Sequence, residues 1–247
     1  MTSTAQRGSG AGAARVAGAA YLFMVASGIL WWVLVGSRVV VAGDPLATAQ
    51  AVLGREGLFR LGLGIEALMA LNLVALGFSH RELLRPAGRT GAEVASWLVL
   101  ADALLSLAQV LLAFLAFQLL VHRGTLDAPG AAALQALVGL YIDVRIAGHT
   151  VAALALHLGL LVAWVQLLRA RLLPRALAAA GVLAFALILG AELANVLVPG
   201  SPPDLMTGFG PWGTLTVGPS IVLELVAGGW LLARGVGPGA APLRPAG

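Results

Sequence analysis

The sequence predicts an all-α fold, a polytopic integral membrane helix bundle of six transmembrane helices, and three observations predict it. Of its 247 residues 60% are hydrophobic and only 11% are charged, against roughly 25% charged in soluble domains, so most of the chain belongs in lipid. Apolar runs of about 20 residues, enough to cross a hydrocarbon core roughly 30 Å thick, occur six times. Arginines gather in alternate connections, as they do where cytoplasmic loops carry the positive charge.

Taken in order, the start MTSTAQRGSGAGA (1–13) has no apolar periodicity and is expected to be a disordered tail. The first span covers 14–35; its apolar run is about twice a signal-peptide core and continues through Trp31 and Trp32, so it reads as an uncleaved helix. Asp44 is placed to cap a short interfacial helix with Pro45 in its first turn, leading to the second span, 58–78. HRELLRPAGR, with Arg81, Arg85 and Arg89, joins it to a long third span, 93–120. DAPGAAALQALVGLY repeats the outer device, with Asp127 as the cap and Pro129 near the start, before the fourth span at 146–168. RARLLPR links that to the fifth span, 176–198. PGSPPDLMTGFGPWG, free of basic residues, leads to the sixth, 213–233, where Pro219 removes a backbone donor. A second disordered tail is expected at 235–247, leaving 14–234 as a single domain. Arg7 and Arg15 before the first span, and Arg234 and Arg244 after the last, place both termini on the cytoplasmic side. The second and fourth spans both begin with Arg and end in LLR, a faint parallel repeat of two hairpins that would also suit an oligomer interface.

Composition excludes several activities. The net charge of +4 comes from scattered arginines rather than a basic stripe interleaved with aromatics, so nucleic acid is not an expected partner. The chain has no Cys, hence no disulfide, thiolate metal site or lipidated cysteine. GxSxG, Walker A and dinucleotide fingerprints do not occur. His149 and His157 stand about 12 Å apart along one helix axis and cannot clamp a haem iron from both faces. One midplane His with carboxylates makes a sparse zinc site, so neither cofactor nor metal is expected. Gly62 and Gly64 read as packing glycines. The lack of Lys beside so much Ala, Gly, Leu and Arg suggests a GC-rich genome, and with it a bacterial cytoplasmic membrane.

Within the spans, polar residues stand out, because a charge at the bilayer centre costs about 2.5–3.5 kcal/mol and normally faces a bundle interior. Counting about 1.5 Å per residue from the outer end of each span puts Arg60, Arg145 and His149 near the outer boundary. Glu66 and Glu192 then fall roughly 10–12 Å below it, Gln109, His157 and Glu224 near the midplane, and Asp102 in the inner third. Asp102, Ser106 and Gln109 share one helix face, as do Thr216, Ser220, Glu224 and Gly228. Glu66, Gln109, His149, His157, Glu192 and Glu224 are therefore the expected lining of a ligand site, with His157, Glu224 and Glu66 as candidate catalytic or proton-exchanging groups. Arg60 and Arg145 are expected to snorkel or to form outer ion pairs. Four intramembrane carboxyls outnumber these two fixed cations, so at least one is expected to remain protonated. His80 and His122 are assigned to opposite membrane edges, and Asn72, Ser106, Thr150, Asn195 and Ser220 to helix bridging.

RVAGAAYLFMVASGI, GDPLATAQAVLGREGLFRLGLGIEAL, HLGLLVAWVQLLRARLLPRALAAAGVLA and LELVAGGWLLARG resemble the bacterial membrane family catalogued as domain of unknown function 4386, over roughly Arg15 to Gly235. The more specific matches are LFRLG at 58–62, His157, LPR at 173–175 and Glu224. Ala155 and Leu156 stand where that family tends toward aromatics. The resemblance implies a small polytopic membrane protein and no particular activity. Three functions stay open: a site in the bilayer for an apolar or lipid-like small molecule, with proton exchange at a buried carboxyl; a membrane-embedded enzyme acting on a lipid or isoprenoid by general acid–base chemistry; or a structural or regulatory protein without a ligand.

Overall fold

The computed structural model describes residues 2–41, 44–125, 127–201 and 211–235; the tail expected beyond Gly235 lies outside them. The described elements are helical: α1 (Thr2–Trp31), α2 (Ser37–Val39), α3 (Pro45–Gly54), α4 (Glu56–Leu84), α5 (Arg89–Val121), α6 (Ala128–Arg169), α7 (Arg175–Leu197), α8 (Pro211–Thr216) and α9 (Gly218–Arg234). Helix α1 starts at Thr2, ahead of the Ala14 start expected for the first span. A π-helical turn, Trp32–Gly36, joins α1 to α2. It wraps the indoles of Trp31 and Trp32 over Gly36, where a Cβ would lie 2.7 Å from one ring and 2.9 Å from the other.

Among the described residues five helical stretches are long and apolar enough to cross a membrane: Gly10–Val39, Glu56–Ala87, Arg89–Val121, His149–Arg169 and Arg175–Leu197. The sixth expected span is two helices, α8 and α9, broken at Val217. Pro219 cannot donate to the helix ladder, so the turn tightens: the Val217 N–H donates to Gly213 O at 2.8 Å and the Ser220 N–H to Val217 O at 3.1 Å. The Ser220 hydroxyl donates to the same carbonyl at 2.8 Å. Helix α9 has 17 residues, about 26 Å of rise, so a crossing here uses both pieces.

Many small residues are buried and many large apolar ones are exposed. Ala14, Ala17, Ala92, Ala95, Ala163 and Ala178 are fully buried, while Leu104, Leu183, Leu197 and Trp97 are 65–72% exposed. In water such a surface would drive association; in lipid it is the solvent-facing surface, and small residues let helices approach closely. The chain is a polytopic helical membrane bundle.

Contacts divide it into two compact units. Unit 1 comprises 1–25, 72–103 and 150–247, with a core built on Tyr21, Leu76, Leu84, Trp164, Phe185, Ile188 and Leu231. Helices α1 and α9 touch backbone to backbone there, a Cβ at Gly18 meeting Gly228 O at 2.6 Å. The Trp164 ring occupies the space of a Cβ at Gly181. Unit 2 comprises 26–71 and 104–149 and packs Val35, Val39, Val52, Phe59, Phe117, Leu120 and Ile142 together. Gly62 packs closely, against Val35 and Trp31, but Gly64 faces open space and has no packing role.

The two capping devices form as expected, one with a different outcome. Asp44 Oδ1 accepts from the Ala47 N–H at 2.9 Å and starts α3. Asp127 Oδ1 accepts from the Gly130 N–H at 3.0 Å, yet what it starts is no separate interfacial helix. Helix α6 runs unbroken for 42 residues to Arg169, because beyond its first turn it contains no proline and its glycines, Gly139, Gly148 and Gly159, stand singly. It ends in a Schellman turn in which the Leu172 N–H donates to Leu167 O at 3.1 Å and Arg171 takes the left-handed position at φ 54°.

Candidate functional site

In unit 1 the close approach of α5 and α6 sets the site. Gly159 of α6 lies against Ala95, Leu98 and Val99 of α5. One turn beyond Leu98 comes Asp102, and two residues before Gly159 comes His157. On α7, Phe185, Ile188 and Glu192 follow i, i+3, i+7 spacing and are buried together. His157 Nδ1 lies 2.6 Å from Glu192 Oε1, and the His157 ring stacks 6.1 Å from that of Phe185. Glu192 is 0% exposed and Asp102 1%. Asp102 interacts electrostatically with both His157 and Glu192. Neither Asp102 oxygen, nor Glu192 Oε2, has a hydrogen-bond partner among the described residues.

Two acids and one base thus share an apolar interior. The cluster is neutral only when it holds two protons, for instance as imidazolium, carboxylate and carboxylic acid. A bare carboxylate without hydrogen bonds in such surroundings costs several kcal/mol, so the proton count decides which states are accessible. Among the described residues no group of three or more His, Asp or Glu is arranged to hold a metal ion. The arrangement suits holding and releasing a proton.

The other expected site residues lie elsewhere. Glu224, buried on α9, interacts electrostatically with Tyr21 of α1. The Tyr21 hydroxyl is 3.0 Å from Nε2 of His80. In unit 2, Arg145 Nη2 donates to both Glu66 oxygens, at 2.5 and 2.6 Å, with the two side chains 12% and 13% exposed. Arg145 also lines a small cleft with Trp31, Val39, Val40, Phe59 and Ile142. Arg60 pairs with Glu56 one turn away on the exposed face, its guanidinium 4.9 Å above the Phe117 ring. Gln109 is half-buried and His149 exposed. The six expected lining residues therefore divide evenly, with Glu66, Gln109 and His149 in unit 2 and His157, Glu192 and Glu224 in unit 1.

Depth counted from helix ends did not anticipate this grouping. Helix α5 has 33 residues, about 50 Å of rise against a core of roughly 30 Å, so distance from its end does not measure depth in the bilayer. That is why Asp102, placed in the inner third by counting, meets Glu192, placed near the outer side. Tyr21 and His80 carried no separate signal: the phenol sits in an Ala-rich run, and His80 adjoins the charged Arg81 and Glu82, which reads as a membrane edge. Asn72 does bridge helices as expected, its Nδ2 donating to Ala20 O at 3.0 Å.

A family model, Domain of unknown function (DUF4386), matches residues 16–235. The chain belongs to this family. No curated protein and no solved structure matches this DUF4386 member.

Proposed function

We propose that this DUF4386 protein is a multi-pass protein of the bacterial cytoplasmic membrane, with both termini inside. In this reading it binds or moves an apolar or lipid-like small molecule and exchanges a proton at the Asp102, His157 and Glu192 cluster. The observation that carries the reading is the 2.6 Å contact of His157 with a fully buried Glu192, beside an Asp102 whose carboxyl oxygens have no partner among the described residues. Intramembrane ionisable groups are costly to keep and are by default functional, and a group held neutral by its proton count responds directly to pH. Of the two carboxyls expected to exchange a proton, Glu66 is held by Arg145 as an ion pair and Glu224 lies apart on α9, and the exchange is assigned instead to the His157 cluster.

Proteoliposomes loaded with a pH-sensitive dye and challenged with membrane lipid extract test it. The wild type should move protons on addition of extract, Asp102→Asn and His157→Gln should abolish the movement, and Gln109→Ala should keep it. If the variants unfold at lower temperature while proton movement persists, the cluster is a structural strut and the proposal fails.

A further inference from the structure

The Tyr21, His80 and Glu224 group stands apart from the cluster above and has a different construction. Tyr21 and His80 are 0% exposed and Glu224 is 6% exposed. The backbone contact of Gly18 with Gly228 fixes the register of α1 against α9. One turn from it along each helix come Tyr21 and Glu224, three residues after Gly18 and four before Gly228, so the phenol meets the carboxyl's field. On its other side the same hydroxyl reaches His80 Nε2 at 3.0 Å, and His80 Nδ1 is buried with no partner among the described residues.

We propose that ionisation of Glu224 is coupled through the Tyr21 hydroxyl to the tautomer of His80, making these three side chains a second protonatable centre. With Glu224 neutral, the Tyr21 O–H donates to Nε2 of a neutral imidazole whose proton sits on Nδ1. When Glu224 gives up its proton, its charge draws the Tyr21 O–H toward α9, and the neutral imidazole of His80 moves its proton from Nδ1 to Nε2, from which it donates a hydrogen bond to the phenol oxygen. The carboxyl's proton is the one released, the imidazole changes tautomer without changing charge, and the phenol keeps its proton. From α4 the phenol meets His80, from α9 Glu224, and from α6 the uncharged Trp164 ring at 6.4 Å. Asp102, His157 and Glu192 interact with one another. Arg81, Arg85, Glu82 and Glu93, near His80 in sequence, are ion-paired among themselves and partly exposed.

The chain has four histidines, which makes the test direct: full-length protein with ¹⁵N-labelled histidine, in nanodiscs, followed by nuclear magnetic resonance across pH. His80→Gln assigns the His80 signals by their loss. In the wild type the His80 nitrogens should report a change of tautomer of the neutral ring over one transition. Glu224→Gln should abolish that transition, and Tyr21→Phe, which keeps the ring packing, should abolish or displace it. His157→Gln should leave it in place, so its outcome is independent of the cluster assigned to proton exchange. A His80 titration identical in wild type, Glu224→Gln and Tyr21→Phe, or a His80 that keeps one tautomer throughout, overturns the proposal.

Discussion

The Glu66–Arg145 pair illustrates what a single charge does in this chain. Both side chains are close to nine-tenths buried, and removing one partner of a buried pair leaves an uncompensated charge, typically costing about 3–5 kcal/mol. Glu66→Gln or Arg145→Gln alone should lower stability by roughly 3 kcal/mol in thermal unfolding in detergent, and the double variant should recover more than half of that loss. Additive losses would show that the two side chains act separately. Arg60 offers the contrast: its partner Glu56 is on the same exposed face, and Arg60→Gln should change stability by no more than about 1 kcal/mol. From the sequence alone, both arginines looked alike, since each stands near the start of an apolar run. What separates them is which carboxylate a neighbouring helix presents, and that information is tertiary.

Helix ends and helix contacts carry the next set of consequences. Arg171 holds a left-handed backbone position at φ 54° that glycine adopts without penalty. Arg171→Gly should therefore stabilise the chain by up to about 1 kcal/mol, measured by the same unfolding assay; destabilisation would mean that the arginine side chain has a role its exposed position does not reveal. At Gly181 the reverse applies, because the Trp164 ring fills the place of a side chain, and Gly181→Ala should cost about 1–3 kcal/mol. The starts of α3 and α6 could be read from Asp44–Pro45 and Asp127–Pro129, since a cap is a local hydrogen bond between near neighbours. The continuity of α6 could not, because a run of good helix formers says where a helix is permitted and not where it leaves the membrane. The break between α8 and α9 was half visible: Pro219 marked the place, but whether a proline kinks or splits a helix depends on what replaces its missing bond.

For the molecule as a whole, the helical membrane class follows from hydropathy, since a run of about 20 apolar residues has few alternatives to a crossing. The grouping of polar residues did not follow, because α4, α5 and α6 are longer than the bilayer is thick and a residue's depth is not its distance from the helix end. The proposed orientation has its own test, made convenient by the absence of native cysteine. Single cysteines at Ala87 and Ala170 should be shielded from a membrane-impermeant thiol reagent in intact cells, and one at Gly124 should react. The opposite pattern would invert the topology assigned from the arginines. The central claim is that a proton resides on the buried acids beside His157 and leaves as pH rises. Infrared difference spectroscopy of the reconstituted protein between acid and alkaline pH reads it directly. A protonated-carboxyl band should disappear on the alkaline side, be lost in Asp102→Asn, and shift its midpoint in His157→Gln; a band that is unaltered in both variants would contradict the account.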